Sequence, residues 1–279
     1  MDFASCALSF DFFGIEVEVA AADADCKALL SGNYGSFATQ AQRPALTYSV
    51  NKCGDGAFEI SRGTDYSLLA WDDGDLLFQL EKEITIEIQK LRPDLYFLHA
   101  AVLEYRGVGL MLVAQSGGGK STTAWALSHH GFRYLSDELA PINLRTLQVL
   151  PYPHALGLKN LPPSSYSLPP ETIWTSRTLH VPVDALPGGE QTAPTCLSAI
   201  FFVSYRPGQK PSAIPISRAE AAVRLFANAL NPLAHPGEGL DGVLEIAERC
   251  SSFELVTSDL PQTCAVVKET MASLRSSSS

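Results

Sequence analysis

The chain has 279 residues, which at roughly 150 residues per domain suggests two domains, with 46% hydrophobic and 18% charged residues. So little charge beside so much apolar content excludes a disordered chain. The 20 Lys and Arg against 30 Asp and Glu give a net charge of −10; that field repels duplex nucleic acid and anionic membranes, so a phosphate-bearing ligand must be held by local groups. Asp2 and Asp11 stand where a signal peptide would carry Lys or Arg, and no apolar run approaches the ~18–20 residues that span a bilayer. The six cysteines are scattered, Cys250 and Cys264 being 14 residues apart, with no Cys-x-x-Cys. Reduced, mostly buried thiols in a cytoplasmic protein are expected.

The first 75 residues read as β-rich. Gly14-Ile15-Glu16-Val17-Glu18-Val19 alternates apolar and acidic residues, the period of a half-exposed strand. Strands are expected at Leu46–Val50, Ala57–Ile60 and Ser67–Trp71, separated by turns at Gly54-Asp55-Gly56, Gly63 and Asp72-Asp73-Gly74. A helix is expected from Leu76 to Arg92, since Leu77, Leu80, Ile84, Ile88 and Leu91 recur at steps of three and four and Pro93 ends the run. Ile84–Ile88 also reads as strand, and both readings stay open there.

From Leu95 the pattern changes. Tyr96–Leu103 and Val108–Ala114 are dense apolar runs of strand length, followed by a Gly-rich loop, a helix near Lys120–His129, and strands at Phe132–Leu135 and Leu139–Leu144. That order is the pattern of a βαβ unit with buried strands. Nine prolines make residues 151–195 mainly loop. A buried strand at Ala199–Tyr205, helices near Arg218–Leu230, Asp241–Cys250 and Gln262–Leu274, and a strand at Phe253–Thr257 complete an α/β domain. The tail Ser276–Ser279 is expected to be disordered.

One segment carries the chemistry: Ala114-Gln115-Ser116-Gly117-Gly118-Gly119-Lys120-Ser121-Thr122. It fits the phosphate-loop pattern G-x-x-x-x-G-K-[ST] at every position but the first, where Ala114 replaces Gly. Glycines let backbone N–H groups turn toward phosphates, and the following helix adds open N–H groups and its positive dipole end. Lys120 would reach the β- and γ-phosphates, and the Ser121 hydroxyl would join a Mg²⁺ shell. After one helix and one short strand comes Ser136-Asp137-Glu138. An acid at that strand end can hold Mg²⁺ or take a proton from an attacking hydroxyl. Adjacent residues leaving a strand point to opposite sides, so only one carboxylate can meet the acceptor. His99, inside the run Leu98-His99-Ala100-Ala101, reads as either a core or a catalytic histidine.

The set His99-Ala100-Ala101, Gly107-Val108-Gly109, Ser116–Thr122, Gly131-Phe132-Arg133 and Ser136-Asp137-Glu138 resembles, in order and spacing, the catalytic domain of HPr kinase/phosphorylase. That family shares its nucleotide-binding core with the ATP-dependent phosphoenolpyruvate carboxykinases and phosphorylates a serine of a small carrier protein. The chain looks more like diverged relatives of the family, some of which phosphorylate a serine of a lasso-peptide precursor. The resemblance is close over about residues 95–145. It implies a P-loop kinase core over residues 95–275, preceded by a β-rich region, 1–94, that serves substrate recognition. It implies ATP and Mg²⁺ as cofactors and a Ser-bearing peptide or small protein as acceptor, with no nucleic acid or membrane partner; an oligomer is compatible with it. Carried over, Ser116, Gly117, Gly118, Gly119, Lys120, Ser121 and Thr122 bind the nucleotide. Asp137 becomes the general base, Ser121, Asp137 and Glu138 face the metal, and His99 lies near the γ-phosphate. Lys159, in Leu158-Lys159-Asn160, matches a segment of the relatives and would neutralise the transferring phosphoryl group; an exposed loop lysine is the other reading. Arg206 has the same standing. The other histidines singled out, His129, His130, His180 and His235, read as surface or structural. The chain has no copy of the family's Glu-Ile-Arg-Gly-Leu-Gly signature. A small-molecule alcohol kinase and a nucleotide-responsive binding module are the competing functions.

Overall fold

The computed structural model describes residues 6–54, 56–64 and 66–276 and divides into two compact units. The first comprises Met1–Arg92, Pro153–Leu161 and Leu168–Ala185; the second comprises Pro93–Tyr152, Pro162–Ser167 and Leu186–Ser279. Residues 153–161 and 168–185, expected with the C-terminal domain, thus belong to the first unit.

The first unit begins with strands β1 (Ala7–Phe12) and β2 (Ile15–Ala20), an antiparallel hairpin turning at Phe13 and Gly14, both with positive φ. Alternation works as expected: Val17 and Val19 are fully buried, while Glu16 and Glu18 stay on the more open face. Helix α1 (Ala24–Tyr34), in a region read as β-rich and given no element of its own, then carries the chain over to β3 (Leu46–Cys53), which runs parallel to β2. Asp23 caps α1 by accepting the Cys26 N–H at 2.9 Å. Strands β4 (Ala57–Arg62) and β5 (Tyr66–Ala70) complete a five-stranded sheet of order β1-β2-β3-β4-β5. Helix α2 (Asp73–Leu91) settles the open reading at 84–88 as helix. Asp72 caps it through the Asp75 N–H at 2.8 Å, and Leu76, Leu77, Leu80, Ile84 and Ile88 form its buried face. Burial of each such side chain contributes about 1.5–3 kcal/mol.

The second unit opens with β6 (Tyr96–His99), β7 (Ala101–Tyr105) and β8 (Val108–Val113), then α3 (Lys120–Ser128), β9 (Arg133–Ser136), β10 (Leu139–Asn143) and β11 (Gln148–Val149). The run expected as one strand breaks at Ala100, because its halves have different neighbours: β6 pairs β10, whereas β7 pairs β8 and β9. The βαβ expectation holds in split form, with β8 and β9 parallel to each other across β7. Strands β8 and β9, joined through α3, are not adjacent, since β7 lies between them and antiparallel to both.

The Pro-rich segment adds β12 (Leu156–Leu158), β13 (Ile173–Trp174) and β14 (Leu179–Val181), a three-stranded antiparallel sheet of the first unit. The chain then supplies β15 (Thr195–Tyr205), β16 (Ser212–Pro215), α4 (Arg218–Phe226), α5 (Leu240–Arg249), β17 (Ser251–Thr257) and α6 (Leu260–Ser276). Ser276 is therefore the last helical residue; the rest of the tail expected to be disordered lies outside the described residues. β15 runs parallel to both β8 and β17, so Val113, Tyr205 and Thr257 end at one edge of a nine-stranded mixed sheet. One face of that sheet packs on α4 and α5 through Leu98, Val102, Met111, Ile200, Leu225 and Ile246, all fully buried.

No disulfide joins the cysteines among the described residues. Burial pushes the Cys250 and Cys264 thiols up to about 12, which makes them inert rather than nucleophilic. No helix among the described residues is long and apolar enough to cross a membrane.

Candidate functional site

The loop after β8 sits at the edge where the parallel strands end. Gly117 and Gly119 have φ of 81° and 94°, a left-handed conformation that costs other residues about 1–2 kcal/mol. Gly118 is fixed by space instead: a Cβ on it would lie 3.0 Å from both the Gln115 carbonyl oxygen and the Ala114 Cβ. Its N–H donates to that same carbonyl at 2.9 Å, closing the loop on itself. Ala114 is outside the positive-φ residues, so it replaces the pattern's first Gly without strain. Gly119 is the N-cap of α3, and the first intrahelical bond runs from the Thr123 N–H to the Gly119 carbonyl at 2.9 Å. The N–H groups of Lys120, Ser121 and Thr122 thus have no acceptor within the helix. Gly119→Ala is expected to lower the melting temperature by a few degrees through its strained φ; a thermal melt unchanged from wild type would refute the strain.

Lys120 is the first residue of α3, with a side chain only 8% exposed. Its Nζ donates to the Asp137 main-chain carbonyl and lies 3.8 Å from Glu138 Oε2. Asp137 and Glu138 link β9 to β10. The Ser136 hydroxyl shapes that turn by accepting the N–H groups of Glu138 at 3.3 Å and Leu139 at 3.0 Å. His99, at the end of β6, stands opposite Leu139 in the strand register, which brings its Nε2 within 2.7 Å of Glu138 Oε2.

The two carboxylates have opposite surroundings. Asp137 is 0% exposed, and its Oδ1 accepts the Tyr134 hydroxyl at 2.9 Å. Glu138 is 46% exposed. Burial alone would raise the Glu138 carboxyl, but the Lys120 charge and the His99 hydrogen bond outweigh it and hold the group below the ordinary carboxylate range. The fold favours the ionised form. Its contribution to stability is therefore present above the unfolded-chain value and is lost as pH falls through the lower folded value. His99→Asn removes one of the groups holding the acid down, so the Glu138 carboxyl should titrate at higher pH in that variant. A ¹³C NMR titration of the Glu138 side chain checks this, and an unmoved midpoint would contradict it.

No family model matches the chain, and no curated protein matches it. Among solved structures it is similar to the Hpr(Ser) kinase/phosphatase from Coxiella burnetii, with a TM-score of 0.34 and 11% identity over 64% of this chain and 98% of that one.

Of the residues singled out by sequence, the structure brings together His99, Lys120 and Glu138 as side chains and Asp137 through its carbonyl. Ser116, Gly117, Gly118 and Gly119 precede Lys120 in the loop, and Ser121 and Thr122 follow it in the first turn of α3. Lys159 belongs to the first unit, exposed just after β12, on a cavity of 280 Å³ shared with Trp174 and Arg177. Arg206 turns to Glu254, 3.7 Å away, and to the Ser204 hydroxyl. His130 meets the Tyr166 hydroxyl, and His180 is buried between Asn33 and Thr178. Sequence reasoning missed Tyr134, whose hydroxyl occupies Asp137, and missed Tyr205 and Thr257, which flank Gly119. The Tyr134-x-x-Asp137 spacing was a usable signal for the first; nothing local marked the other two.

Proposed function

We propose that the chain is an ATP-dependent kinase that transfers the γ-phosphate to a serine hydroxyl of a peptide or small protein, such as a natural-product precursor. One observation carries the proposal: Lys120, at the head of a helix that follows a left-handed glycine loop, reaches a turn whose open carboxylate, Glu138, is held by His99. The loop closes tightly, so that a Cβ at Gly118 would crowd the Gln115 carbonyl oxygen at 3.0 Å, the kind of cradle that lets main-chain N–H groups approach phosphate oxygens. Of the three donors of an ammonium group, the Asp137 carbonyl takes one, and the charge of Lys120 is available to a phosphate above it.

Ser121 is the residue that would hold Mg²⁺, an ion usually bound by one or two protein oxygens together with phosphates. When bound, Mg²⁺ supplies charge neutralisation across the β- and γ-phosphates. The serine oxygen forms a bond to the γ-phosphorus while the bond to the ADP oxygen breaks, and the hydroxyl proton passes to a carboxylate. We assign that proton to Glu138 rather than to Asp137, because Glu138 is open and Asp137 is sealed with its Oδ1 on Tyr134. His99 orients Glu138 and can share the proton. Asp137 shapes the turn and places its carbonyl on Lys120. The first unit, which lacks the loop, is proposed to recognise the acceptor.

The test incubates the protein with γ-³²P-ATP, Mg²⁺ and pools of serine-bearing peptides or small alcohols. Label on peptide serine supports the proposal. Label confined to alcohols would make the protein a small-molecule kinase, and bound ATP with no label transferred would make it a binding module. Mg²⁺-ATP is also expected to raise the melting temperature, by about 2.7 kcal/mol of stabilisation at a hundredfold excess over Kd. No shift at millimolar nucleotide would count against the loop.

A further inference from the structure

Beside the phosphate loop the second unit has a cavity of 430 Å³, lined among others by Tyr205, Gln209, Lys210, Ser258 and Gln262. Its volume lies in the range of about 300–1,000 Å³ typical of small-ligand sites. Tyr205 belongs to both places. It ends β15 at the edge where the loop sits, and a Cβ on Gly119 would lie 3.7 Å from the Tyr205 Cβ. The same point is 3.6 Å from Thr257 Oγ1, and Ser258, the next residue, lines the cavity. Hydrogen bonds fasten the cavity wall to the strand ends. The Arg206 N–H donates to the Thr257 carbonyl at 2.8 Å, and the Ser258 hydroxyl donates to the Gln209 carbonyl.

The charges of the cavity do not suit a phosphate. Lys210 is the single cation among its lining residues, which also include a carboxylate, Asp259. Asp259 is itself engaged at the head of α6, where its Oδ1 accepts the Gln262 N–H at 2.9 Å. What remains is one aromatic ring, 57% exposed, with side-chain amides around it. A neutral, planar, hydrogen-bonding group suits that lining: the ring offers a stacking face, and the Gln209 and Gln262 amides offer both donors and acceptors.

We propose that this cavity receives the base and ribose of the nucleotide whose phosphates lie in the Gly117–Thr122 loop, with Tyr205 stacking on the base. The inference rests on the phosphate-loop reading and adds to it the part of the ligand that gives nucleotide selectivity. Phosphates and base then divide between a cationic and a near-neutral site that share the Gly119–Tyr205 contact.

The experiment compares isotherms for Mg²⁺-ATP and for Mg²⁺-tripolyphosphate, which lacks base and ribose, on wild type, Tyr205→Ala and Tyr205→Phe. Wild type should bind ATP on the order of tenfold or more tightly than tripolyphosphate. Tyr205→Ala should lose most of that advantage and keep its tripolyphosphate affinity, whereas Tyr205→Phe, which keeps the ring, should retain it. If Tyr205→Ala binds ATP as wild type does, or loses tripolyphosphate equally, the base does not sit on Tyr205. If wild type binds neither probe, the phosphate-loop reading itself falls. If it binds both equally, that reading stands and the cavity proposal alone fails.

Discussion

Lys120→Ala is expected to reduce phosphoryl transfer at least 10²–10³-fold, the usual consequence of losing one charge-stabilising donor from a site that holds developing negative charge. The structure gives two reasons for a large effect. The side chain is 8% exposed and aimed at the Asp137–Glu138 turn rather than into the apolar core, so the lost group serves the site. Its removal also takes away the cation that helps keep Glu138 ionised. The fold should survive, since alanine is a good helix former and Lys120 lies in the first turn of α3. Steady-state label transfer beside a thermal melt reads both quantities. Near-wild-type transfer by a folded Lys120→Ala protein would remove the loop from the mechanism.

The second large effect is expected at Glu138. Glu138→Gln keeps the shape and a hydrogen bond to His99 but cannot take a proton, so transfer should fall by about 10²–10⁴-fold with little loss of nucleotide affinity. The side chain is 46% exposed, and its loss should cost little stability. Asp137→Asn should act differently. The amide oxygen still accepts the Tyr134 hydroxyl, and the main-chain carbonyl that meets Lys120 is unaltered. A loss of transfer below tenfold is expected, with the change appearing mainly in stability. If Asp137→Asn is inactive while folded and Glu138→Gln is active, the base is Asp137 after all and the turn rearranges when nucleotide binds.

The phosphate loop was legible because its signal is local: glycines at fixed spacing before Lys-Ser, with an apolar strand before and a helix after. The placement of Asp137 and Glu138 near Lys120 was legible for a similar reason, since little chain separates them. Which carboxylate stays open was not. It depends on Tyr134 folding over Asp137 and on strand register bringing His99 to Glu138, and no local pattern marks either. The break at Ala100 was hidden because residues on both sides are buried, so hydrophobicity runs through a change of neighbours. Helix α1 escaped for another reason. Its buried positions Cys26, Leu30, Asn33 and Tyr34 keep helical spacing, but they include an Asn that goes inside to meet His180 and hides the stripe. That the Pro-rich segment carrying Lys159 returns to the first unit was not legible, a long-range choice that composition does not encode.

The most direct test of the central claim is a crystal structure with Mg²⁺ and a non-hydrolysable ATP analogue. Density should place the β- and γ-phosphates within hydrogen-bonding distance of Lys120 Nζ and of the main-chain N–H groups of Gly117–Thr122, with the γ-phosphate toward Glu138 and His99. A nucleotide bound elsewhere, with the Gly117–Thr122 loop empty, would contradict the assignment of phosphoryl transfer to this site.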